Sequence, residues 1–155
     1  MNTSDPTQET PAPLRVAILD DDLSVCTAIR RLLKSSRILA EAYSSSGAFF
    51  EGILYGPTPD CIVLDLQMPG MNGFEVMACL RKAGIRIPVV IITAHDEPNS
   101  RNACISAGAY RYLCKPLDAA QLLDCIAEVV AIARSHRMMP GPALSPPFHR
   151  PDWTR

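Results

Sequence analysis

The sequence predicts an α/β fold, a doubly wound five-stranded parallel sheet with five helices. Three observations predict it. Apolar runs of strand length recur along the chain, as in Val16-Ala17-Ile18-Leu19, Cys61-Ile62-Val63-Leu64 and Val89-Val90-Ile91-Ile92. Segments with a single apolar stripe at helical spacing alternate with them. The runs are continuous rather than polar-alternating, the pattern of strands covered on both faces.

The elements follow in order. Arg15 to Leu19 is a strand that stops at three aspartates, Asp20, Asp21 and Asp22. Val25, Cys26, Ile29, Leu32 and Leu33 then lie on one helical face. Ile38 to Tyr43 is a weaker strand, and Ser46 to Tyr55 a helix closed by Gly56-Pro57-Thr58-Pro59. Cys61 to Leu64 is a strand ending at Asp65, and after the turn Met68 to Gly73 a helix runs from Phe74 to Ala83. Ile87 to Ile92 is a strand ending at Thr93, with Pro88 near its start. The fourth helix, Asn99 to Ala107, is weakly patterned. Tyr110 to Cys114 is the last strand, ending at Lys115-Pro116, and the final helix carries the stripe Leu122, Leu123, Ile126, Val129 and Val130.

Composition narrows the function classes. At 155 residues the chain has length for one substantial core. Hydrophobic residues are 48% and charged residues 20%, as in ordinary globular proteins. A net charge of −1 leaves no basic surplus for neutralising nucleic-acid phosphates, so direct DNA binding is not expected. No apolar run is long enough to span a membrane, and the polar opening lacks the apolar stretch of a secretory signal, so a cytoplasmic protein is expected. The six cysteines contain no CxxC pair and read as reduced core residues rather than zinc ligands. Proline-rich ends set the organisation: a disordered tail at 1–13, a domain at 14–135, and a Pro-rich tail at 136–155 in which Phe148 and Trp153 offer a docking peptide.

In a doubly wound sheet the ligand site lies beyond the carboxyl ends of the strands. Four of the five predicted strands end there in reactive groups: Asp20, Asp21 and Asp22, then Asp65, Thr93 and Lys115. Taken singly each has an ordinary explanation, such as helix capping by Asp22 or a turn at Asp65. Taken together they describe one site. Two carboxylates ~4 Å apart repel by roughly 4 kcal/mol at an effective dielectric of about 20. A proton or a cation must resolve that conflict. Hard oxygen donors favour Mg²⁺, and such a site suits phosphoryl transfer with a carboxylate as nucleophile.

At these residues the sequence resembles the receiver domain of bacterial two-component response regulators. The resemblance rests on Ile18-Leu19-Asp20-Asp21-Asp22, on the run Cys61 to Gly73, on Val89 to Ala94, on Ala107-Gly108-Ala109 and on Tyr112-Leu113-Cys114-Lys115-Pro116. It covers about residues 14–135. It implies a flavodoxin-like strand order 2-1-3-4-5 and a stand-alone response regulator. It implies that Asp65 accepts a phosphoryl group, that Asp21, Asp65 and the Gln67 backbone carbonyl ligate Mg²⁺ directly, and that Asp20 acts mainly through bound water. Lys115 would pair with the acceptor and then the phosphoryl group, Thr93 would bond the phosphoryl group, and Ala94 would leave room for it. Tyr112 takes the switch position, its ring turning inward as Thr93 moves. Gln67 and His95 occupy positions that tune phosphoryl lifetime, and Lys115-Pro116 matches the family's cis peptide. The implied partners are a sensor histidine kinase or histidine phosphotransfer protein and a downstream protein target, with a homodimer through the fourth helix, fifth strand and fifth helix left open. The implied role is that of a phosphoacceptor rather than a multiple-turnover enzyme. The alternative is a small phosphatase of the haloacid dehalogenase type, which Asp20-x-Asp22 loosely resembles.

Overall fold

Residues 10–138 are described by the computed structural model; the tail through residue 9 and the segment from residue 139, with Phe148 and Trp153, lie outside them. Strands and helices alternate as β1 (Arg15–Leu19), α1 (Leu23–Ser35), β2 (Leu39–Tyr43), α2 (Ser46–Tyr55), β3 (Cys61–Asp65), α3 (Gly73–Lys82), β4 (Val89–Thr93), α4 (Ser100–Ser106), β5 (Arg111–Cys114) and α5 (Ala119–Met138). The strands form one parallel sheet in the order β2-β1-β3-β4-β5, as the resemblance implies.

The unbroken apolar strands are explained by what covers them. Along β1, Val16 and Ile18 face one core while Ala17 and Leu19 face the other. The same division runs through β3, where Cys61 and Val63 oppose Ile62 and Leu64, and through β4, where Val90 and Ile92 oppose Val89 and Ile91. One core is closed by Ile29 and Leu33 of α1 with Leu122, Ile126 and Val129 of α5. The other is closed by Phe49 and Ile53 of α2, Val76 and Leu80 of α3, and Cys104 of α4. Since successive strand side chains point to opposite faces, both sets must be apolar.

Local chemistry sets the helix starts. The Asp22 side chain accepts from the Ser24 N–H at 2.9 Å and caps α1. Asn72 caps α3 by accepting from the Glu75 N–H at 3.0 Å. Capping therefore commits one of the three consecutive aspartates and leaves Asp20 and Asp21 for the rim.

Two boundaries differ from the sequence expectation for stated reasons. β4 begins at Val89 rather than Ile87, because Pro88 has no N–H to give the ladder. α4 spans only Ser100–Ser106: Asn99 at its start has a left-handed φ of 69° and makes no side-chain capping bond. α5, for which the sequence set no end, runs to Met138. All six cysteines are free, with Cys26, Cys61, Cys104 and Cys125 buried.

Candidate functional site

The strand register builds the site. Leu19 pairs with Leu64, so Asp20, the next residue, falls beside Asp65. Asp65 pairs with Ile92, and Thr93 pairs with Cys114, which brings Thr93 and Lys115 to the same rim. The Lys115 N–H donates to the Thr93 carbonyl at 2.7 Å, fixing the end of β5 against β4. The Lys115–Pro116 peptide is cis, as the resemblance implies.

Among the described residues, the buried polar side chains are Asp20, Asp65 and Thr93, all at this rim. A buried charge needs partners. Asp20 Oδ2 receives a bond from Lys115 Nζ at 2.7 Å, and Asp20 Oδ1 receives one from the Asp22 N–H at 2.9 Å. Asp65 Oδ1 lies 3.6 Å from Lys115 Nζ and accepts from the Gln67 N–H at 3.4 Å. Lys115 thus sits closer to Asp20 than to the expected acceptor. One ammonium bridges two carboxylates and pairs tightly with the more deeply buried one.

The electrostatics follow. Burial, then the charge of Asp20, pushes the Asp65 carboxyl up to about 6, with Lys115 and the Gln67 N–H pulling the other way. Burial alone would depress the Lys115 ammonium, but its hydrogen bond to Asp20 and the charges of Asp20 and Asp65 outweigh that and leave it raised. The Asp22 carboxyl is held below its usual range by its bonds to Ser24. One ammonium among three rim carboxylates leaves negative charge uncompensated.

Asp20, Asp21 and Asp65 each present a carboxylate oxygen, and these oxygens lie within 4.8 Å of one another. Asp21 is exposed while the other two are buried, so the cluster opens to solvent on one side. An all-oxygen set of this size fits a hard divalent cation such as Mg²⁺. Gln67, two residues past Asp65, is exposed beside it.

Thr93 and Tyr112 complete the set named from the sequence. The Thr93 hydroxyl donates to the His95 carbonyl at 3.1 Å and accepts from the His95 N–H at 3.2 Å. Tyr112 is 2% exposed, its hydroxyl donating to Asp96 Oδ1 at 3.2 Å. Asp96 was not legible from the sequence: it sits in the irregular loop between β4 and α4, where no periodicity marks a residue as facing inward.

Comparison with known proteins agrees with this geometry. The family model described as the response regulator receiver domain matches residues 16–127. Response regulator MprA of Mycobacterium sp. (strain KMS) is 35% identical over 111 residues, covering 72% of this chain and 48% of MprA. Response regulator protein TodT of Pseudomonas putida is 31% identical over 122 residues, covering 79% of this chain and 53% of TodT. The chain spans about half the length of these curated relatives. Among solved structures, a response regulator receiver protein from Burkholderia phymatum is 43% identical with a TM-score of 0.66, covering 76% of this chain and 95% of that one. The response regulator StyR is 34% identical with a TM-score of 0.70, covering 81% and 63% respectively. Because the matched segment takes in the whole acidic rim and all but the first residue of the sheet, this chain belongs to the response-regulator receiver domain family.

Proposed function

We propose that this chain is the phosphoacceptor of a two-component phosphorelay, taking a phosphoryl group onto Asp65 from a phosphohistidine of a sensor kinase or phosphotransfer protein. One observation carries the reading. Asp20, Asp21 and Asp65 bring carboxylate oxygens within 4.8 Å of one another, beside Lys115, at the carboxyl rim of a parallel sheet. A cluster so rich in negative charge is poor for stability and apt for phosphoryl chemistry.

In the proposed transfer, an Asp65 carboxylate oxygen forms the new P–O bond as the P–N bond to the donor imidazole breaks. Asp20, Asp21, Asp65 and the Gln67 carbonyl would hold Mg²⁺, which when bound neutralises charge on the phosphoryl oxygens. Lys115, already within reach of Asp65, supplies a fixed cation to the transferred group. Thr93 must exchange its bonds to His95 for one to the phosphoryl group, and that rearrangement is the proposed source of the switch. The group is accepted and lost in single events, so the chain acts as a phosphoacceptor and not as a multiple-turnover enzyme. Output passes to a protein partner in the cytoplasm; among the described residues no helix is long and apolar enough to cross a membrane.

The haloacid dehalogenase alternative finds no support in the relatives above. Its motif also needs the Asp22 side chain beside Asp20, where Asp22 is bound to Ser24.

Intact mass after incubation with acetyl phosphate and Mg²⁺ tests the proposal. We expect one phosphoryl adduct in the wild type and none in Asp65→Asn or with EDTA. An adduct of equal yield on Asp65→Asn would remove Asp65 from its role.

A further inference from the structure

Tyr112 is held from two sides by residues outside the acidic rim. Its hydroxyl donates to Asp96 Oδ1 at 3.2 Å, and the Arg101 guanidinium carbon stands 5.1 Å from the ring centroid. The distance to Arg101 is that of a cation over an aromatic face. Asp96 belongs to the loop that follows β4, and Arg101 to the first turn of α4. The Asp96 carboxylate therefore ties the loop before α4 to β5.

Thr93 takes no part in this arrangement. Its hydroxyl is bound to both the carbonyl and the N–H of His95. Tyr112 is nevertheless 2% exposed. A ring that needed Thr93 to leave its loop before turning in would be exposed while Thr93 is so bound. Packing in the core supplies part of the hold, and the polar partners at the ring's hydroxyl and face are Asp96 and Arg101.

We infer that Asp96, assisted by Arg101, is a positioning residue that sets Tyr112 in its buried position independently of Thr93 and before any phosphoryl transfer. The consequence for signalling rests on the receiver reading: the surface shaped by Tyr112 is preset, and phosphorylation has correspondingly less to change there. Asp96 touches no reacting group, so its influence reaches output only through the ring. A ligand or modification can shift such an equilibrium only by favouring one state over the other, and a residue that has already favoured the buried state narrows that difference.

The test reads Tyr112 directly. The chain contains four tyrosines, so 3-fluorotyrosine is incorporated throughout and the Tyr112 resonance assigned with Tyr112→Phe. Its solvent isotope shift between H₂O and D₂O reports ring exposure by ¹⁹F NMR. Spectra are taken on the full chain, unphosphorylated and in EDTA. We expect a small shift in the wild type and in Thr93→Ala, and a rise toward the denatured-state value in Asp96→Ala. Asp96→Asn, which keeps the acceptor Oδ1, should restore the small shift, which separates a lost bond from general loosening. Arg101→Ala should fall between. A Tyr112 shift that is unchanged in Asp96→Ala, or that rises as much in Thr93→Ala, would overturn the assignment. Uptake from acetyl phosphate is measured on the same proteins after exchange from EDTA into Mg²⁺. Normal uptake with an unmoved Tyr112 in Asp96→Ala counts against this inference alone. Absent uptake in the wild type counts against the receiver reading, whatever Tyr112 does.

Discussion

Asp65 carries a carboxyl pushed up to about 6, chiefly by burial and by the neighbouring Asp20. Its folded value lies above the ordinary 3.8, so the protonated form is the one that folding favours. The contribution is fully present below about pH 4 and is lost as the pH rises through about 6. In EDTA the wild type should therefore lose stability across that window, and Asp65→Asn should not. The variant should match the wild type near pH 4 and exceed it at neutral pH by on the order of 2 kcal/mol. Urea titrations at the two pH values decide this, and a gap that does not change with pH would contradict the electrostatic account. Asp65, Thr93 and Lys115 were legible in the sequence because each stands one position from the end of an apolar run, where the topology leaves little choice of direction. The preference of Lys115 for Asp20 over Asp65 was not, since a difference between 2.7 and 3.6 Å depends on side-chain rotamers.

At the scale of elements, the turn between β3 and α3 holds a close backbone approach beside the site. Gly73 opens α3 with its N–H donating to the Leu66 carbonyl at 2.9 Å. A Cβ placed there would stand 2.9 Å from both the Asp65 carbonyl oxygen and the Leu66 Cα. Both are backbone atoms, so neither can yield without moving the end of β3. Gly73→Ala should cost about 1–3 kcal/mol and should also slow phosphoryl uptake, because the displaced segment carries Asp65. Thermal melts and the mass assay read the two effects; an intact melting point with unchanged uptake would show that the join tolerates the shift. The sequence marked this turn through Pro69, Gly70 and Gly73 but not the reason for Gly73, which is a close approach between segments rather than an unusual φ. Element bounds were best read where an apolar run meets a polar group, as at Leu19 and Asp20. They were worst read around α4, whose polar first turn gives no stripe to follow.

Across the whole molecule, the sheet separates two cores that share only the strands. Ile29 of α1 lies in one and Ile53 of α2 in the other. Ile29→Val and Ile53→Val should each cost about 1 kcal/mol, and the double variant should lose their sum to within about 0.5 kcal/mol. A clear departure from additivity would mean that the sheet transmits packing strain from face to face. The two-core plan was legible because doubly apolar strands require cover on both sides. Which helices share a side follows from the crossover directions, which are right-handed in nearly all such folds.

That separation has a practical meaning for anyone altering the protein. The sheet works as a partition between two mutational libraries. Variants selected on the α1 and α5 side can be combined with variants selected on the α2, α3 and α4 side without rescreening every pair. The exceptions are the few positions at the carboxyl rim, where Asp20, Asp65 and Lys115 connect residues from three strand ends and a change in one alters the meaning of the others.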